Sequence, residues 1–308
     1  MHEHITRTLY YLEVHLLYAS LVWFAAWLLT SIRGISATTK YWIWVTTSVN
    51  FILPVGELVD ELWARHVLWA TPISVLVKAR AGIIGNAPLA TLLCIVWLLG
   101  ATLMCTRLLL RMRSEYRDAA VDQKAENPSR RFLAQGVPVT FAASAQSPAV
   151  NGLLRPYIVL PDGIERLLSR HELHAVLIHE LTHARRRDNL IRLVYEVGLC
   201  LLWFHPLLWI SGSRLALYRE LSCDESVIKG ARGEDLVSAL AKLVCPEHPS
   251  LLRAAATSHL RHRLALLVAA QPQRLWRAAN TVLTLCFSAV LLGGILATVA
   301  HTACCFVD

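Results

Sequence analysis

Long apolar runs alternate along this chain with a single extended polar block. Residues 14–32 (VHLLYASLVWFAAWLLTSI), 88–106 (PLATLLCIVWLLGATLMCT) and 281–300 (TVLTLCFSAVLLGGILATVA) contain no Asp, Glu, Lys or Arg. Each approaches or reaches the ~20 residues that a helix needs to cross a hydrocarbon layer. A fourth run, 41–56, is shorter and contains Asn50 and Pro54, but Tyr41, Trp42 and Trp44 at its start resemble an interfacial aromatic belt. These four runs predict four transmembrane helices. Residues 57–87 mix acids and bases with Trp63 and Trp69, which suggests an amphipathic segment at the membrane surface. A fifth span over 67–77 is the alternative, and it would invert the topology of everything after it.

The block at 107–280 has a different rhythm. Residues 114–130 are polar and read as a connector; 137–145 and 156–160 read as strands, bounded by the turn signals Ser147-Pro148, Asn151-Gly152 and Pro161-Asp162-Gly163. Three helices follow. The first opens with a capping box, Ser169 with Glu172, and runs to about Arg187; the second covers 189–203, and the third covers 206–229 with Pro206 near its first position. The expected organisation is a membrane region over 1–106, a separate domain over 107–280, and a last span with a short tail over 281–308.

Composition fixes the orientation of these parts. Of the 308 residues 55% are hydrophobic and 17% charged, against about 25% charged in an ordinary soluble domain, which excludes a disordered chain and disfavours a purely soluble globule. The net charge is +8, and residues 107–280 hold 24 of the 30 bases with 16 of the 22 acids, so the whole excess belongs to the block. Loops rich in Lys and Arg stay in the cytoplasm, and Arg33 and Lys40, Arg107, Arg111 and Arg113, and Arg274 and Arg277 all satisfy this with four spans. The block is then cytoplasmic, and both termini face outward. The first span is expected to remain as an anchor, since its apolar run exceeds a signal-peptide core and no small-residue cleavage site follows. Eight cysteines without a C-x-x-C spell neither a disulfide framework nor a thiolate zinc site.

Residues 179–183 read His-Glu-Leu-Thr-His. On a helix His179 and His183 stand one turn apart on one face, so both imidazoles reach one metal ion, with Glu180 beside them as general base toward a water that zinc acidifies. A catalytic zinc takes a third protein ligand and keeps one position open. Glu220, on the third helix, is the leading candidate; Glu225, Glu196 and Asp188 compete under the same ligand rules. Asp224, one turn beyond Glu220, is placed to accept the free N–H of a ligand histidine and fix its tautomer.

HELTHARRRDNL, WFHPLLW and RELSCDESV, preceded by SPAVNGLLRPYIVLP, together resemble the metallopeptidase region of the BlaR/MecR-type antirepressor family of bacterial membrane proteins. The motifs occur in that family's order, closely over about 137–230 and loosely over the whole chain. The resemblance implies a mainly α, polytopic fold with an α+β, zincin-like peptidase domain between the third and fourth spans. It also implies a gluzincin site: His179, His183 and Glu220 as zinc ligands, Glu180 as general base, and Asp224 in support. Residues 147–156 become the expected substrate-binding edge. The implied substrate is a protein, by resemblance a transcriptional repressor. The antibiotic-sensing members carry a penicillin-binding sensor after the last span; only eight residues follow Ala300 here, so β-lactam sensing of that kind is not expected.

Two rival functions share these residues. A quality-control peptidase of the HtpX type uses the same ligand logic, but Arg-Arg-Asp after the second histidine and the WFHP stretch favour the first family. A non-catalytic signalling scaffold is opposed by retention of all four chemical residues. His171, His174, His205, Tyr218 and Arg263 lie near enough in sequence to stabilise an oxyanion, with nothing to single one out. The arginine run 185–187 sits at a helix end, where cations favour the dipole and an anionic lipid surface; no direct nucleic-acid partner is expected.

Overall fold

The computed structural model describes residues 2–32, 34–53, 87–124, 132–230 and 232–244. The expected fourth span at 281–300, the segment 57–86 and Arg263 lie outside the described residues. The fold is mainly helical with one small sheet. Helices α1 (His2–Ser31), α2 (Ala37–Ile52) and α3 (Ala87–Lys124) come first. Ser36 caps α2, its Oγ accepting from Thr39 N at 3.1 Å, which satisfies one of the donors that every helix start leaves open.

Helix α3 presents a broad exposed apolar surface. Leu92, Leu93, Ile95, Val96, Leu98, Leu99 and Leu103 are all exposed. Among the described residues, Thr91–Arg117 is the one stretch long and apolar enough to cross a membrane, and His15–Ser31 is a shorter apolar helix. At 1.5 Å per residue the 38 residues of α3 extend about 57 Å, well beyond a hydrocarbon core of about 30 Å. The helix therefore runs through most of the stretch expected as a connector from 114. Glu115 supports the extension, pairing with Arg111 one turn back and with Arg192 at 2.5 Å, and no glycine or proline interrupts before Pro128.

The sheet contains β1 (Phe132–Ala134), β2 (Val137–Ala142), β3 (Ala149–Asn151) and β4 (Tyr157–Pro161), in the order β1-β2-β4-β3. β2 and β4, the two strands expected from the sequence, pair in parallel at the centre; the outer pairs are antiparallel. The β1–β2 turn places Gln135 and Gly136 at φ 49° and 86°, the left-handed pair that a two-residue hairpin requires. β3 is left at one edge.

Four helices follow the short α4 (Ile164–Leu167): α5 (Arg170–Arg186), α6 (Asp188–Leu201), α7 (Pro206–Lys229) and α8 (Gly233–Val244). The capping box at the start of α5 is complete, Ser169 Oγ accepting from Glu172 N and Glu172 accepting from Ser169 N at 2.7 Å. At the other end Arg187 takes φ 55°, ending α5 and starting α6 without an intervening loop.

Two apolar cores result. Val139, Phe141, Ile158 and Leu160 from the sheet pack against Ala175, Val176, Leu181 and Ala184 of α5 and Val227 of α7. The other core joins Ala19 and Trp23 of α1 and Tyr41, Trp44 and Phe51 of α2 to Leu199, Leu208, Leu215, Tyr218 and Leu221 of α6 and α7. Close approach needs a small residue here: a Cβ on Gly198 would stand 2.4 Å from the Ile52 side chain. Helix α7 takes part in both cores, so one rigid rod connects the N-terminal helices to the layer that carries the histidines.

Candidate metal centre

Helix periodicity places His179 and His183 of α5 on one face, with ring centroids 4.9 Å apart. Each ring is anchored from behind. His179 Nδ1 lies 3.0 Å from Asp224 Oδ1 of α7, and His183 Nδ1 lies 2.7 Å from Asp188 Oδ2 at the start of α6. The Asp188 carboxylate accepts from His183, so that Nδ1 carries the proton and its Nε2 is left with a lone pair; Asp224 stands within ion-pair range of His179 Nδ1 and favours the same tautomer there. Those two Nε2 atoms stand 3.2 Å apart. Glu220 Oε2, from α7, stands 3.6 Å from one and 3.9 Å from the other. Its second oxygen is taken by Arg219, whose Nε and Nη2 donate at 3.2 and 3.1 Å.

Three electron-pair donors thus converge on one point, an arrangement suited to hold a proton or a metal cation between them. The donor set fits zinc: at Zn–N distances of about 2.0–2.1 Å, two tetrahedral ligand nitrogens stand about 3.3–3.4 Å apart. Glu180 lines the same cavity, of about 420 Å³, together with Ser147–Val150, Asn189, Arg192 and Arg219. Val176 and the α8 residues Leu236, Leu240 and Leu243 give that cavity an apolar wall. β3 forms part of the lining where a substrate edge was expected, tied down by Asn189 Nδ2, which donates to Val150 O at 2.9 Å and to Gly152 O at 3.3 Å.

Without metal the cluster holds a proton instead. Burial alone would push His179 down, but its hydrogen bonds to Asp224 and Glu220 raise it to about 9, from an ordinary 6.5. Burial works to raise Glu220, and contact with the two histidines overrides it and holds the carboxyl below its ordinary value. The sign of the linkage follows. In the metal-free protein the His179 contribution to stability is complete below pH 6.5 and disappears as pH rises through about 9. Because a metal ligand must be unprotonated, zinc uptake near pH 7.5 is expected to expel about one proton, and the release should fade above pH 9. Calorimetry in buffers of different ionisation enthalpy reads that release directly.

A sulfur lies close to the pair as well. His179, His183 and Cys223 form a cluster with candidate ligand atoms within 4.8 Å of one another. Cys223 Sγ, however, meets His183 on its Nδ1 side at 3.5 Å, receives Arg186 Nη2 at 3.0 Å, and has its thiol pushed well up by burial. It sits behind the ring, away from the face on which the two Nε2 atoms and Glu220 meet.

The competing acids have other partners. Glu225 accepts from Thr38 and pairs with Lys229; Glu196 pairs with Arg111 and Arg192. Asp188, weighed as a ligand, instead takes the outer nitrogen of His183. His171 and His174 are exposed near the start of α5. His205 meets Phe51 in a tilted ring contact with centroids 4.9 Å apart, and Tyr218 is buried in the second core beneath Lys40. Arg186, the middle of the basic run, turns inward to Asp188, Ser222, Cys223 and the carbonyl of Arg219. Its Arg-x-Asp spacing to Asp188 was the available signal for that inward turn.

Such a histidine pair, backed by carboxylates and open to a cleft beside an edge strand, is an arrangement that fits a metallopeptidase. Within that class the chain belongs to the BlaR1 peptidase M56 family, whose profile matches residues 11–267. It is 30% identical over 187 residues to the regulatory protein BlaR1 of Bacillus licheniformis, covering 55% of this chain and 29% of that protein. It is 28% identical over 99 residues to the methicillin resistance mecR1 protein of Staphylococcus aureus, covering 32% of this chain and 17% of that one. The chain thus spans less than a third of the length of these curated relatives.

Proposed function

We propose that the chain is a zinc-dependent endopeptidase of the bacterial inner membrane, crossing it several times, with its peptidase domain in the cytoplasm, and that it cuts a regulatory protein. The observation that carries this reading is the convergence of His179 Nε2, His183 Nε2 and Glu220 Oε2 beside Glu180 in an open cleft. His179, His183 and Glu220 hold the metal; Asp224 and Asp188 fix the two histidine tautomers. A bound zinc supplies Lewis acidity to a water and to the scissile carbonyl.

The protein's own residues do the rest. The Glu180 carboxylate accepts a proton from the attacking water on one of its oxygens and passes it to the departing amine. β3, held by Asn189, offers its edge to an extended substrate, and main-chain pairing of that kind reads conformation more than sequence. The apolar wall formed by Val176, Leu236, Leu240 and Leu243 selects a hydrophobic side chain next to the cut. As the family resemblance suggests, a transcriptional repressor is the proposed partner; the bilayer is the other, and nucleic acid is not contacted directly.

Quantifying new protein N-termini in cells that carry the wild-type chain or Glu180→Gln tests this. The expected result is a small set of cuts in a soluble regulator, or in the chain itself, present only with the wild type. Diffuse cuts across misfolded membrane proteins would instead support the quality-control reading.

A further inference from the structure

The carboxylate behind His183 is itself held by a residue from far away in the chain. Tyr41 Oη, on α2, donates to Asp188 Oδ1 at 2.8 Å, across a sequence separation of 147 residues. Asp188 Oδ2 accepts from His183 Nδ1 at 2.7 Å. Arg186 fills the remaining positions, Nε to Oδ1 at 3.1 Å and Nη2 to Oδ2 at 2.6 Å, while its guanidinium lies 4.3 Å above the centre of the Tyr41 ring. Both oxygens of a buried carboxylate are therefore fully engaged, and its rotation is fixed by groups from two other helices, α2 and α5. One turn earlier on α2, Thr38 N and Oγ1 donate to Glu225 Oε2 at 2.9 and 2.8 Å. Glu225 directly follows Asp224, the partner of His179.

We propose that the Thr38–Tyr41 turn of α2 is a positioning element of the metal centre, with the Tyr41 hydroxyl setting Asp188 and, through it, His183. The inference rests on the zinc reading above and extends it to the N-terminal helices. Outer partners of ligand histidines fix ring orientation and tautomer, and their loss typically weakens metal binding by about 10–100-fold. Tyr41 acts one bond further out. Its geometry makes α2 part of the site: an axial shift of that helix by an ångström or so would break a 2.8 Å hydrogen bond and release the carboxylate that aims His183.

Zinc affinity of the full chain in detergent, measured by competition with a chromophoric chelator, tests the proposal. Tyr41→Phe keeps the ring beneath Arg186 and deletes only the hydroxyl. It is expected to weaken zinc binding about 5–10-fold, less than the about 10–100-fold of Asp188→Asn. The double variant should be no weaker than Asp188→Asn alone, because the two act through one contact. Tyr195→Phe is the control: its hydroxyl is also engaged, donating to Leu208 O at 2.9 Å, but it touches nothing that supports the histidines, so zinc affinity should not change. Wild-type affinity in Tyr41→Phe, effects that multiply in the double variant, or an equal loss in Tyr195→Phe would each overturn the positioning role while leaving the zinc site standing. A wild-type chain that takes up no zinc would overturn both.

Discussion

Glu180→Gln is expected to leave zinc bound and to slow cleavage about 10²–10⁴-fold, the range that a positioned general base contributes. The substitution keeps the size and shape of the side chain while removing its negative charge and its ability to accept a proton. Glu180 precedes none of the packing that supports α5: the buried positions of that helix are Glu172, Ala175, Val176, His179, Leu181 and Ala184, so neither core is disturbed. Single-turnover cleavage of a bound substrate, beside metal analysis of the same preparation, separates the two effects. Undiminished proteolysis with Gln at 180 would remove the residue from the reaction.

Removing the third carboxylate has the opposite signature. Glu220→Ala is expected to lose metal before anything else, because two neutral imidazoles alone make a weak and incomplete zinc site. The loss should exceed the about 10–100-fold expected for Asp224→Asn, which changes only the outer contact of His179. It also leaves the Arg219 guanidinium without the oxygen on which Nε and Nη2 converge, so cationic charge faces the two histidines and opposes a cation further. Zinc retained after dialysis against buffers of defined free metal ranks the two variants. An order in which Asp224→Asn loses zinc more readily than Glu220→Ala would displace Glu220 from the ligand set.

The parts of this site that sequence discloses are those written within one turn of a helix. The capping box and the i, i+4 histidines need no knowledge of the rest of the chain, and α5 starts within a residue of its expected place. Glu220 depended on resemblance, since four acids satisfied the same ligand rules and only folding shows that Glu225 and Glu196 already have cationic or hydroxyl partners. Asp188 illustrates the same difficulty: its identity suited a ligand, yet its position as the first residue of α6, two past the end of α5, turns it to the outer nitrogen of His183. Tyr41 was read as part of an aromatic belt, a role that composition supports equally well; nothing local to it points at a residue 147 positions on. The short strands β1 and β3 have three residues each, too few for alternation to register. The charge break at 107 is the basis of the proposed division and orientation of the block, while packing crosses that line through the core shared by α1, α2, α6 and α7.

X-ray absorption at the zinc edge of the purified full chain tests the metal centre most directly. The account predicts a first shell made only of nitrogen and oxygen at about 2.0–2.1 Å, with the outer-shell scattering of two imidazoles. A sulfur at about 2.3 Å would bring Cys223 into the ligand set in place of Glu220 and contradict the account.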